Sequence, residues 1–175
     1  MNSEMEKAKP FNVLFLCTDN SARSIMAEAI LSWHGQGRFN AFSAGPHPAR
    51  EINPYTRAAL HHAGIAADGL RAKSWDEFTE AGTPELDFVF TLCDSMMGET
   101  CPEWPGRPMT TYWSIPDPAA TAGSEVMKHL AFADAFRMLS NRIGAFSALP
   151  LRGLDHPPVQ NRLNAHDSGI AKSAA

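Results

Sequence analysis

Cys17 and Arg23 bracket five small or polar residues in CTDNSARS, residues 17–24. The apolar run Val13–Leu16 precedes them, and good helix formers follow at Ile25–Leu31. A loop between a strand and a helix presents successive backbone N–H groups around a concavity, with the positive helix N-terminus behind it. A tetrahedral oxyanion of phosphate type fits such a nest, lined here by the backbone of Thr18, Asp19, Asn20, Ser21, Ala22, Arg23 and Ser24. Arg23, at the helix start, forks two N–H bonds onto two of the oxygens. The same positive field is expected to lower the pKa of Cys17 and arm it as a nucleophile. Asn20 suits a left-handed backbone position in so tight a loop. The plainer alternative is a buried structural cysteine followed by an ordinary cap and a surface arginine. The strand before, the helix after and the small residues between favour the chemical reading.

Cys93, Cys101 and Asp117 are the other residues of interest, and the elements around them decide whether they meet Cys17. Phe11–Leu16 reads as a strand covered on both faces, because its apolar character is nearly continuous. A helix over Ser24–Trp33 follows, ended by His34-Gly35-Gln36-Gly37. Arg38–Ala44 is a second strand, stopped by Gly45-Pro46. Pro54–Ala63 is a helix with proline at its start and Gly64 just beyond. Trp75–Glu80 adds a short helix, Asp87–Leu92 a third strand and Thr110–Ile115 a fourth. A long helix from about Gly123 to Ala148 carries Val126, Leu130, Ala133, Phe136, Leu139, Ile143 and Phe146 at 3/4 spacing, a stripe expected to face the core.

Strands alternating with helices imply a single three-layer α/β domain, a four-stranded parallel sheet with helices on both faces. The expected boundaries are a flexible leader over 1–10, the domain over 11–150 and a disordered tail over 151–175. Ligands in such folds bind beyond the carboxyl ends of the strands. Cys17 lies just past the first strand, Cys93 past the third and Asp117 past the fourth, so the three are expected to converge on one edge.

Composition narrows the function classes. The 175 residues, 44% hydrophobic and 19% charged, suit one soluble globular domain. A net charge of −4 leaves no basic footprint for nucleic acid or an anionic membrane surface. The opening MNSEMEKAK is too polar for a signal segment, and no apolar run approaches the ~18 residues of a membrane span. The chain therefore reads as cytoplasmic. Three cysteines, an odd number, do not make a secreted disulfide framework. Seven residues separate Cys93 from Cys101 and no histidine pair has finger spacing, which argues against zinc. Neither a metal nor a bound cofactor is expected.

FLCTDNSARSIMAEA resembles the phosphate loop of the low-molecular-weight protein tyrosine phosphatase superfamily, with its Cys-x-x-Asn-x-x-Arg-Ser pattern and following Met-Ala-Glu. Phe42-Ser43-Ala44-Gly45 also resembles the end of that family's second strand. The likeness spans roughly residues 11–148. Asp19 stands where the phosphatases often have glycine. The resemblance implies that Asp117, in Ile115-Pro116-Asp117-Pro118, is the general acid, and that Ser24 hydrogen-bonds the Cys17 thiolate.

Within the superfamily two activities compete. The phosphatases usually follow the Asp–Pro with aromatic residues that flank a phosphotyrosine ring, whereas this chain has Pro118-Ala119-Ala120. TLCDSMMGETCPEWPG is similar to the mobile loop of the thioredoxin-coupled arsenate reductases, which carries a cysteine pair. The resemblance then implies that Cys17 attacks arsenate, Cys93 attacks Cys17 to release arsenite, and Cys101 resolves the disulfide. The electrons come from an external thiol reductant, thioredoxin or glutathione with glutaredoxin. Phosphate and sulfate are the expected analogues of arsenate, and residual phosphomonoester hydrolysis is expected. Met96-Met97 is a candidate docking surface for the reductant, and the protein is expected to be a monomer. The alternatives are a protein tyrosine phosphatase and a non-enzymatic oxyanion- or redox-sensing module.

Overall fold

The computed structural model describes residues 8–152. The leader over 1–7 and the tail from 153 lie outside the described residues. Four strands, β1 (Phe11–Leu16), β2 (Phe39–Ala44), β3 (Phe88–Thr91) and β4 (Met109–Tyr112), form one sheet in the order β2-β1-β3-β4. All three pairings are parallel, with Val13 opposite Ala41 and Phe88, and Phe88 opposite Met109. The α-helices are α1 (Arg23–His34), α2 (Pro54–His62) and α3 (Glu125–Ser147).

Local chemistry accounts for the helix starts. Asn53 accepts from the Tyr55 amide and Pro54 fills the first turn of α2, while Ser124 accepts from the Met127 amide at the head of α3. At α1 the preceding residue is Ala22, with no side-chain cap. That helix start is therefore left for something else to complete.

Strand periodicity divides the core. Phe15, Phe88 and Phe90 share one face with Phe146 of α3, and the Phe90 and Phe146 ring centroids are 5.0 Å apart. There α1 packs on β1 and β2 and meets α3, and α3 meets α2. Across the sheet, Leu16, Val89 and Thr91 border Met96 and Trp104. This second layer is built from 3₁₀ turns at Trp75–Phe78 and Asp94–Gly98 and the loop beyond, with Trp75 edge-on to Trp104 and Phe78 against Phe42.

The stripe expected along α3 holds only in its second half. Leu139, Ile143 and Phe146 are buried, but Val126 is 67% and Leu130 60% exposed, and Phe132 and Ala135 take their place inside. A helix of 23 residues runs ~34 Å, against ~20 Å for a six-residue strand. The first half of α3 overhangs the sheet and rests on α2, through Phe132 against Tyr55. Val126 and Leu130 instead border an open apolar groove between α2 and α3. Past residue 150, Leu151 is buried and Arg152 donates to the Lys9 carbonyl, so packing reaches two residues into the expected tail.

Candidate active site

Cys17 directly follows β1, and its amide still bonds the Ala44 carbonyl of β2. The chain then curls through residues 18–22 and enters α1 at Arg23. Amides of His47, Ala49 and Asn53 take the carbonyls of Thr18, Asp19 and Ser21. A trans peptide points its N–H opposite to its C=O, so the amides of Asp19, Asn20 and Ala22 face the other way, into the concavity. Asn20 has the left-handed conformation expected of it, φ 47°. Its side chain is wholly buried, donating to Ser24 Oγ at 2.9 Å and accepting from the Lys73 amide at 2.8 Å. Gly45 closes the floor; a Cβ there would sit 2.1 Å from the Cys17 carbonyl oxygen.

Arg23 is buried, with Nη1 donating to the Ile115 carbonyl at 2.9 Å and Nη2 3.5 Å from Asp117 Oδ2. Its Nε is buried without a hydrogen-bond partner among the described residues. A buried donor of this kind is costly unless an acceptor meets it. With the uncapped head of α1, it fits an oxyanion. Asp117 is held by the Ala119 amide at 3.0 Å on Oδ1, and its half-exposed carboxyl faces the guanidinium. No three His, Cys, Asp or Glu side chains among the described residues are grouped so as to hold a metal ion.

Cys93 follows β3, the strand beside β1, and its buried thiol lies within hydrogen-bonding reach of Cys17. Thr18 Oγ1 at 3.5 Å and Ser95 Oγ at 3.4 Å add hydroxyls, and these two hydroxyls are 2.7 Å apart. The Cys17 thiol, the Ser95 and Thr18 hydroxyls and the Thr18 amide, acting against burial, bring the Cys93 pKa down to about 5. Cys17 moves the opposite way from the sequence expectation. Its hydrogen bond to Cys93 and its burial, with Asp19 nearby, raise its pKa well above the ordinary value despite the opposing charge of Arg23. Cys17 keeps its proton because a second negative charge beside the Cys93 thiolate is disfavoured in so buried a place.

Cys101 stands apart. It is exposed, beyond the 3₁₀ turn, and borders a cleft of about 450 Å³ with Met97, Trp104 and Tyr112. Burial and Glu99 push its pKa up. All three cysteines are free thiols. Of the candidate methionine surface, Met97 is 76% exposed, whereas Met96 turns under the loop and is buried. Sequence reasoning passed over Ser95 and Lys73. Ser95, a hydroxyl two residues from a cysteine, carried a weak signal; Lys73 carried none.

This loop, sheet and acid define a family, and the comparison with known proteins agrees. Residues 12–149 match the low molecular weight phosphotyrosine protein phosphatase family, to which the chain belongs. It is 32% identical over 135 residues to an arsenate reductase of Bacillus licheniformis, covering 77% of this chain and 94% of that one. Among solved structures, an arsenate reductase in its reduced state superposes with TM-score 0.63 at 25% identity, over 79% of this chain and 97% of the other. The thioredoxin-dependent arsenate reductase of Corynebacterium glutamicum gives TM-score 0.53 at 25% identity, over 79% and 64%.

Proposed function

We propose that the chain reduces arsenate to arsenite in the cytoplasm, drawing its electrons from thioredoxin. One observation carries the reading: a second buried thiol, Cys93, stands beside the thiol at the foot of the oxyanion loop. Hydrolysis of a phosphate ester needs no such neighbour. The arsenate reductases among the relatives support the reaction, and the thioredoxin dependence of the Corynebacterium protein supports the donor. No helix among the described residues is long and apolar enough to cross a membrane.

The proposed steps run in this order. Loop amides and Arg23 hold the arsenate, and Cys17 gives up its proton to the neighbouring Cys93 thiolate. The Cys17 thiolate attacks arsenic, and an arsenate oxygen leaves as water with a proton from Asp117. Cys93 passes that proton to an oxygen of the arsenic adduct and, as thiolate again, attacks Cys17 Sγ. The sulfur–arsenic bond breaks with its electron pair going to arsenic, which falls from the pentavalent to the trivalent state and departs as arsenite. The Cys17–Cys93 disulfide holds the two electrons' worth of oxidation. Cys101 then attacks Cys93, Cys17 leaves as thiolate, and the thioredoxin dithiol reduces the Cys93–Cys101 bond.

Phosphotyrosine hydrolysis is the second reading, favoured by Asp117 ahead of Pro118 beside Arg23. Against it, Pro118–Ala120 form a 3₁₀ turn that offers no aromatic wall for a tyrosyl ring. The deciding assay measures arsenite production with thioredoxin and with glutathione and glutaredoxin, alongside phosphotyrosine hydrolysis. Hydrolysis without arsenite would select the phosphatase.

A further inference from the structure

Lys73 lies between α2 and β3, and its side chain is only 9% exposed. Nζ donates to the Arg71 carbonyl at 2.9 Å, Glu28 Oε2 at 3.2 Å and Ser43 Oγ at 3.4 Å, so each ammonium proton has an acceptor. Wholly buried Ser43 in turn donates to Glu28 Oε2. Lysine is rarely buried, and an ion pair taken out of water adds little net stability. Its best-attested use is to specify an arrangement.

The arrangement concerned is next to it in the chain. The Lys73 amide donates to Asn20 Oδ1, and its carbonyl accepts from the Gly45 amide at 3.0 Å. Asn20 is the residue with φ 47°, and a non-glycine residue keeps such a conformation only when its surroundings over-determine it. The Lys73 amide and Ser24 hold the two ends of its side chain. Glu28 belongs to α1, which begins at Arg23, and Ser43 to the strand beside β1.

We infer that Lys73 is a positioning residue for the oxyanion loop: its ammonium ties residues 71–73 to α1 and β2, and the main chain so fixed holds Asn20 in place. The inference rests on reading the loop as an oxyanion site.

Phosphate binding measured by titration calorimetry, with arsenate kinetics beside it, tests this in two variants. Lys73→Met is expected to weaken phosphate binding and raise the arsenate KM by about tenfold each, the effect of losing a hydrogen-bonded charged group. Lys73→Met with Glu28→Gln removes both buried charges and recovers the stability that an unpaired Glu28 costs. Its phosphate affinity stays at the weakened level, because the tether is still missing. This double variant also serves if the single one does not fold. Wild-type phosphate affinity in Lys73→Met, or its full return in the double variant, would overturn the inference; the latter would reduce Lys73 to a counter-charge. Wild-type protein that binds no phosphate would instead overturn the oxyanion reading itself.

Discussion

Cys17 and Cys93 stand together at the carboxyl ends of two neighbouring strands, near enough that each thiol shifts the other's pKa. The two thiols titrate as a pair, one proton leaving early and the other late. Cys93 takes the early step because two hydroxyls and an amide also point at it. Cys17, deeper and beside Asp19, keeps its proton until Cys93 accepts it or an oxyanion rearranges the site.

The first prediction concerns that pair. Ultraviolet thiolate absorbance of the anion-free protein shows one equivalent at neutral pH, which disappears as the pH falls through about 5. Cys93→Ser removes it. The linked stability has a matching sign: a depressed folded-state value stabilises the fold above the ordinary 9.0 and is lost as pH falls towards about 5. The raised Cys17 acts oppositely, costing stability as the pH climbs past the ordinary value. A first thiolate appearing only near the ordinary value would contradict the pairing.

Phosphate is expected to stabilise the folded protein by mass action, about 2.7 kcal/mol at a hundred times its Kd. Arg23→Ala should erase the shift, since the buried guanidinium with its open Nε is the main charged partner for the anion. Thermal unfolding with and without phosphate measures both. An undiminished shift in the variant would put the anion site elsewhere.

Gly45→Ala tests the floor of the loop. The added Cβ would lie 2.1 Å from the Cys17 oxygen and 2.6 Å from that of Thr18, both backbone atoms that cannot swing aside. A loss of about 1–3 kcal/mol in urea unfolding is expected, together with weaker phosphate binding. A variant as stable as the parent would mean that the loop is more pliable than its contacts suggest.

The order of the thiols can be read from single turnovers. Cys101→Ser should release one arsenite per enzyme and stop as a Cys17–Cys93 disulfide, visible by peptide mass spectrometry after thiol blocking. Cys93→Ser should release none without an added small thiol. A phosphatase would lose little hydrolysis in either variant, and a sensor would form disulfides without stoichiometric arsenite. Repeated turnover of Cys101→Ser with thioredoxin would remove Cys101 from the electron path.

Much of this arrangement was legible before any coordinates. β1 spans the expected Phe11–Leu16 and ends where the apolar run does, because a strand buried on both faces has a sharp compositional edge. The left-handed Asn20 followed from residue type, and the approach of Cys93 to Cys17 and of Asp117 to Arg23 fits the rule for parallel sheets. Other features depend on partners far along the chain. The first half of α3 buries Phe132 and Ala135 because α2 lies beneath it, and helical spacing alone does not say which neighbour is there. The loop, helix and Arg23 that favour a Cys17 thiolate are visible in the sequence, while Cys93, which arrives on β3 and opposes it, is not. Lys73 looked like any solvated lysine until the fold enclosed it with Glu28.

The strand order β2-β1-β3-β4 also has a consequence in polymer statistics. Without a fold, the ring from Cys93 to Cys101, eight residues along the chain, closes more easily than the one from Cys17 to Cys93, 76 residues apart. The difference in closure entropy is worth about 2 kcal/mol at room temperature. By setting β1 beside β3 the sheet makes the improbable ring the near one, and in the proposed relay the probable one comes second. A molecule that loosens while oxidised drifts to the short ring, with Cys17 reduced and the central strands unlinked.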